Sequence, residues 1–222
     1  MKNEMSCIFD LDGVLVDTAK YHYLAWKLLA QELGFDFKEA DNERLKGVSR
    51  MASLEILLEV GGVLNVSEED MLAMADKKNR CYVASISTMT PDEVLPGVLD
   101  FLHECKAAGV KMAIGSASKN TGTILERVGL ASFFDAVIDG NKVHHAKPNP
   151  EVFLLGAQAL GASPSNCIVF EDAVAGIEAA IRAGMKCVGV GNPNILGRAN
   201  LIIPDFKNFT WNQIQSIINH QP

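Results

Sequence analysis

Two pairs of acids stand just past apolar runs: Asp10 and Asp12 in Phe9-Asp10-Leu11-Asp12-Gly13-Val14, and Glu171 with Asp172 after residues 167–170. Carboxylates gathered in one place resist ionising together, so a convergent set calls for a cation. Donors that are all oxygen favour a hard divalent ion, Mg²⁺ above all where phosphate is present. The spacing Asp-x-Asp-Gly also has a covalent reading. One carboxylate can attack phosphorus and carry it as an acyl phosphate. A second, two residues on, can exchange a proton with the entering or leaving hydroxyl. Gly13 lets the chain turn so that both reach one place. A lone Asp-x-Asp is explained equally well by acids that solvate a loop or cap a helix. The second pair, at another strand end, favours the metal reading.

An acidic crevice that handles phosphate also needs donors and cations. Ser116 follows an apolar run in Ile114-Gly115-Ser116-Ala117-Ser118-Lys119-Asn120. A helix beginning after it would turn its backbone amides toward an anion. Simple helix capping by Ser116 or Ser118 is the competing reading. Lys147, in Ala146-Lys147-Pro148-Asn149-Pro150, offers a positive charge, or is a solvated surface lysine. Leu45-Lys46-Gly47-Val48-Ser49-Arg50 sets two cations beside a glycine. Arg50 can hold a phosphate through paired hydrogen bonds, the alternative being an exposed charged turn.

These residues need a frame. Apolar runs at 5–9, Lys111–Gly115, Ala136–Ile138, 167–170, 187–190 and Leu201–Ile203 read as buried parallel strands. Amphipathic stripes fall between them: Val98, Leu102 and Cys105 before Gly109; Phe153, Ala157 and Leu160 before Gly161; Val174, Ile177 and Ile181 before Gly184. Alternating strands and helices imply a parallel sheet covered on both faces. Ligands of such sheets bind beyond the carboxyl ends of the strands, where the winding reverses. The four acids converge there if the first and fourth strands are neighbours. From about 17 to 89 the alternation stops. Tyr21, Ala25, Leu28 and Leu29 make one stripe ending at Gly34, and segments 51–60 and Glu68–Ile86 follow, the latter opened by Ser67 as its cap. This helical block reads as a lid inserted after the first strand, with 88–94 as its return linker.

Composition narrows the function. The 222 residues carry 20 Lys and Arg against 27 Asp and Glu, a net charge of −7, with 48% hydrophobic residues. No long basic run invites nucleic acid or an anionic membrane. No signal peptide and no apolar span of transmembrane length is evident. Five scattered cysteines without a CxxC fit reduced thiols in a cytoplasmic core. Gly189-Val190-Gly191-Asn192-Pro193 lacks a third glycine and carries Pro193, so it is not a dinucleotide loop. His144-His145 reads as a loop, and His22 and Trp26 have helix packing as their default role.

Taken in order, Asp10-Leu11-Asp12-Gly13, Ser116, Lys147 and Glu171-Asp172 resemble the haloacid dehalogenase-like superfamily of phosphoryl-transfer enzymes. With Tyr21-His22, Ala25-Trp26 and the stretch from Lys46 to Arg50, the chain resembles the β-phosphoglucomutase family within it, along nearly its whole length. The resemblance implies an α/β fold: a Rossmann-like core of 1–16 and 91–222 and a helical cap of 17–90. It implies Mg²⁺ held by Asp10, the Asp12 carbonyl, Glu171 and Asp172. It implies interconversion of β-D-glucose 1-phosphate and glucose 6-phosphate through the 1,6-bisphosphate, with Asp10 as nucleophile and Asp12 as acid and base. Ser116 and Lys147 would hold the transferring phosphoryl group. Arg50, Ser118 and Asn120 would hold the other phosphate, with Ala117 and Lys119 beside them. Thr18, His22, Trp26, Lys46, Gly47, Val48, Ser53 and Lys78 would line or position the cap side. The implied protein is a cytoplasmic monomer acting on a small sugar phosphate. A sugar-phosphate phosphatase and a non-catalytic phospho-acceptor module remain the rival readings.

Overall fold

A computed structural model describes residues 5–45 and 48–214 of the chain. The chain divides into two compact units, Met1–Asp17 with Thr90–Pro222, and Thr18–Met89.

The elements, in chain order, are β1 (Ser6–Phe9), α1 (Ala19–Glu32), α2 (Glu39–Asn42), α3 (Arg50–Gly61), α4 (Glu68–Ile86), α5 (Val98–Ala107), β2 (Lys111–Gly115), α6 (Thr121–Arg127), β3 (Ala136–Ile138), α7 (Glu151–Leu160), β4 (Cys167–Glu171), α8 (Val174–Arg182), β5 (Lys186–Val190) and β6 (Leu201–Ile203). The first unit carries a six-stranded sheet in the order β3-β2-β1-β4-β5-β6, and every pairing is parallel. The order reverses between β1 and β4, which is where a ligand crevice forms in such a sheet. The register sets Phe9 opposite Phe170, so the chain leaves both strands at the same level.

Side chains alternate across the sheet with period two. Ile8, Cys167 and Val169 join Phe153, Ala157, Ile177 and Ala180 in the core beneath α7 and α8. Phe9 and Phe170 project to the other face. Their rings stack at 4.6 Å and meet Phe101 of α5 edge-on. Gly115 and Gly156 bring α7 close to the sheet: a Cβ at Gly115 would lie 2.9 Å from the Phe153 ring. Covered on both faces, the strands read as continuous apolar runs, which is how the sequence presents them.

The second unit is helical. Among its described residues there is no strand. Trp26, Leu29 and Ala30 of α1 pack with Leu54, Leu57 and Leu58 of α3, and with Ala75 of α4 and Phe37. Ser67 caps α4, its hydroxyl accepting from the Asp70 amide at 3.1 Å. Ser49 caps α3 in the same way through the Ala52 amide. Two local expectations need adjusting. The short α2 has no buried residue, so no apolar stripe announces it. The helix expected directly after Ser116 begins five residues later, at Thr121. Serine side chains there organise a turn, described next.

Candidate active site

Asp10 follows the last residue of β1 and keeps the strand's direction, its amide donating to the Phe170 carbonyl at 2.9 Å. Its side chain faces Lys147, whose Nζ donates to Asp10 Oδ1 at 2.5 Å and to Glu171 Oε2 at 2.8 Å. These side chains are deeply buried: 10% exposed for Asp10, 2% for Glu171 and 8% for Lys147. The Lys147 ammonium also sits 4.7 Å over the Phe153 ring. β4 runs one residue past the expected end at Phe170, so Glu171 is the last residue of the strand. Its Oε1 accepts from the Ala173 amide at 3.1 Å.

Asp172 completes the group. Asp10, Glu171 and Asp172 each offer a carboxylate oxygen, and these atoms lie within 4.8 Å of one another. Two glycines make the room. A Cβ on Gly13 would stand 2.1 Å from Asp172 Oδ2, and its backbone has φ of +80°. A Cβ on Gly176, in the first turn of α8, would stand 2.0 Å from Glu171 Cδ and 2.2 Å from its Oε2. Asp12 is half-buried on the same turn as Gly13 and forms an isolated bridge with Val16.

The electrostatics show what the cluster lacks. Burial, then Glu171 and Asp10, push the Asp172 carboxyl up to about 8. Burial pushes Glu171 up to about 7, with Asp10 adding to it and Lys147 opposing it. Burial works against the Lys147 charge, but Asp10 and Glu171 outweigh it and hold its proton more firmly than usual. Three carboxylates against one ammonium leave a formal excess of two negative charges. One divalent cation balances that excess, and the all-oxygen donor set suits Mg²⁺.

A test follows from linkage. The folded pKa values of Glu171 and Asp172 lie above ordinary carboxylate values, so the folded chain holds extra protons. Without an ion, this pair's contribution to stability falls as pH rises from roughly 4 to 8. Mg²⁺ binds the ionised forms, so it should raise the melting temperature more at pH 8 than at pH 6. A Mg²⁺ shift that is equal at the two pH values would remove these acids from the ion's ligand set.

The loop after β2 is built by hydroxyls. Ser116 is fully buried, and its amide donates to Ile138 O at 3.0 Å. Ser116 Oγ accepts from the Ser118 amide at 3.1 Å, and Ser118 Oγ accepts from the Asn120 amide at 3.2 Å. The expectation of an amide array at a helix start therefore fails for these two amides. A hydroxyl that accepts in this way keeps its own hydrogen to donate. Ser116 and Ser118 thus keep hydroxyl donors where backbone donors were expected. Ala117 and Lys119 are exposed between them.

In the helical unit, Lys78 is 3% exposed. Its Nζ donates to His22 Nδ1 at 2.9 Å and lies 4.6 Å over the Trp26 ring and 4.8 Å over the Tyr82 ring. Burial, then Lys78 and Arg50, hold the His22 pKa well below its usual value, so the ring is neutral and accepts. Thr18 and Ser53 are buried, Arg50 at the start of α3 is half-buried, and Val48 is exposed. Lys46 and Gly47 lie outside the described residues. Sequence reasoning brought together Asp10, Asp12, Lys147, Glu171 and Asp172. It missed Gly176, although a glycine inside an otherwise good helix is a signal. It also missed Glu151. That carboxylate gathers the loop carrying Lys147, accepting from the amides of His144 at 3.1 Å and His145 at 2.7 Å.

Acids at the carboxyl edge of a parallel sheet, a lysine bridging two of them and a charge deficit that fits a divalent ion define a phosphoryl-transfer enzyme. The haloacid dehalogenase-like hydrolase family model matches residues 5–184, and the chain belongs to that family. It is 40% identical over 207 residues to the β-phosphoglucomutase of Bacillus subtilis, covering 91% of this chain and 90% of that one. It is 31% identical over 181 residues to a phosphorylated carbohydrates phosphatase of Thermotoga maritima, covering 81% of each. Among solved structures, the β-phosphoglucomutase of Clostridium difficile matches with a TM-score of 0.90 and 43% identity over 97% of both chains.

Proposed function

We propose that the chain is a β-phosphoglucomutase, converting β-D-glucose 1-phosphate to glucose 6-phosphate through β-glucose 1,6-bisphosphate. The observation that carries the reading is the buried Asp10–Lys147–Glu171 bridge with Asp172 beside it. Likeness to two β-phosphoglucomutases across nearly the whole chain, helical unit included, supports the choice of substrate.

In this reading a carboxylate oxygen of Asp10 attacks the phosphorus of the bisphosphate. The bond from phosphorus to the sugar oxygen breaks, and Asp12 gives that oxygen a proton. In the reverse direction Asp12 takes the proton from the attacking hydroxyl, and the phosphoryl group leaves Asp10. Lys147 and Ser116 hold the phosphoryl oxygens in line and offset their charge. Asp10, Asp172, Glu171 and the Asp12 carbonyl would hold Mg²⁺, which adds positive charge on the same oxygens when bound. Arg50, Ser118 and Asn120 hold the phosphate that is not reacting. Thr18, His22, Trp26, Val48, Ser53 and Lys78, with Lys46 and Gly47, serve the sugar side. The enzyme works as a cytoplasmic monomer on a small anionic substrate. Its five cysteines, none in a disulfide, agree with a reducing compartment.

The experiment is a product assay with β-glucose 1-phosphate, a trace of the bisphosphate and Mg²⁺. Glucose 6-phosphate is expected. Free phosphate and glucose would favour the phosphatase reading, which the Thermotoga maritima relative makes a concrete alternative. Substituting Arg50→Ala sharpens the test. Losing a charged contact of about 2 kcal/mol lowers mutase turnover roughly thirtyfold, with little change in hydrolysis of a small phosphate ester. Equal losses on both substrates would take the distal phosphate away from Arg50.

A further inference from the structure

Past the ends of β2 and β3, the two chains stay joined. Ser116 donates its amide to Ile138 O at 3.0 Å, and Gly140 donates its amide to Ser118 O at 3.1 Å. Asn141 Nδ2 donates to Lys119 O at 3.0 Å. Residues 138, 140 and 141 thus hold residues 116, 118 and 119 in turn. The approach is tight: a Cβ on Gly140 would lie 2.3 Å from Ala117 O.

Asn141 does not reach Lys119 by chance. Its own amide donates to Asp139 Oδ1 at 2.9 Å, and its Nδ2 also touches Asp139 Oδ2 at 3.2 Å. The Asp139 carboxylate therefore fixes both the backbone and the side chain of Asn141. Lys142 closes the turn from the other side, its amide donating to Asp139 O at 3.0 Å and its Nζ to Val137 O at 2.6 Å. The loop so held is the one whose hydroxyls replace the expected amide array. Thr121 Oγ1 secures its far end by donating to Ser118 O at 2.8 Å.

We propose that Asn141, set by Asp139, is a positioning residue for the phosphate-binding loop 116–120: by holding the Lys119 carbonyl it fixes how Ser118 and Asn120 meet the phosphate that is not being transferred. The proposal rests on the assignment of that phosphate to Ser118 and Asn120. Ser116 belongs to the strand ladder through its bond to Ile138 O, so the transferring group is held independently of Asn141.

The test measures kcat and KM for β-glucose 1-phosphate and, separately, for acetyl phosphate, which has no distal phosphate. Asn141→Ala should raise KM for the sugar phosphate about fivefold to tenfold, the loss of one ordinary hydrogen bond. Acetyl phosphate hydrolysis should stay within about twofold. Asn141→Asp keeps the shape but cannot donate to a carbonyl, so it should match Asn141→Ala. Ser118→Ala is the control for the underlying assignment. If Ser118→Ala raises KM for the sugar phosphate and the Asn141 variants do not, the positioning role is overturned while the phosphate assignment stands. If Ser118→Ala leaves that KM unchanged, the loop does not hold the phosphate and both fall. Equal losses on both substrates, with a lowered melting temperature, would reduce Asn141 to a structural role and also overturn the proposal.

Discussion

Asp10→Asn abolishes phosphoryl transfer while leaving the fold in place. The amide has the carboxylate's shape, so β1 still ends with its amide on Phe170 O. What disappears is the attacking oxyanion. Removing the nucleophile of a covalent mechanism costs on the order of 10⁴-fold or more in turnover. No phosphoryl adduct should appear in the intact mass after incubation with the bisphosphate. The substitution also takes one negative charge out of a cluster that holds three carboxylates against one lysine. Without divalent ion, the melting temperature should therefore hold steady or rise. Retained turnover in a preparation free of contaminating mutase would remove Asp10 from the mechanism.

Lys147→Ala carries the second large effect, and it works in two ways. The ammonium at 2.5 Å from Asp10 and 2.8 Å from Glu171 is the one cation joining those two buried acids among the described residues. Losing a preorganised charge that faces developing charge costs about 3–4 kcal/mol, or 10²–10³ in kcat. Breaking a buried pair also leaves its partners uncompensated, at a cost of about 3–5 kcal/mol in stability at neutral pH. Protonation can relieve that second cost. Glu171, already raised to about 7, rises further once its lysine is gone. The stability deficit of the variant should accordingly be larger at pH 8 than at pH 5.5, as read by urea denaturation. A deficit independent of pH would mean that the lysine contributes packing against Phe153 and little charge. Lys147→Arg should not rescue activity. A planar fork does not fit where a point charge spans two carboxylates over a ring.

Much of this site is legible in the sequence because strand ends are. A strand buried on both faces leaves an unbroken apolar run, and an acid directly after it marks the sheet's carboxyl edge. That logic sets Asp10, Glu171 and Asp172 at strand ends and has them converge if the first and fourth strands are neighbours; β1 does pair with β4. Lys147 has no such marker. It stands in a loop, and only the resemblance distinguished it from a surface lysine. The details of the 116–120 loop stay open in the sequence for a physical reason. Ser116 and Ser118 can cap a helix or bind nearby amides in a turn, and local sequence does not separate the two. The choice is made by residues 138–141, more than twenty positions away, through Gly140 and Asn141. Gly13 was recognised as a turn. That it also makes room for Asp172 depends on a contact between segments 159 positions apart, which no local pattern records.

The two passages that link β1 and α5 to the helical unit lie side by side within the sheet-bearing unit. Asp17 donates its amide to Glu93 O, Leu95 donates to Leu15 O, and Val16 bridges Val94. The chain thus departs and returns through one short ladder, anchored to the sheet independently of whatever is spliced between. Everything from Thr18 to Met89 behaves as a cartridge. Changes inside that span can therefore leave the gathering of Asp10, Glu171 and Asp172 as it stands, because none of the three belongs to it.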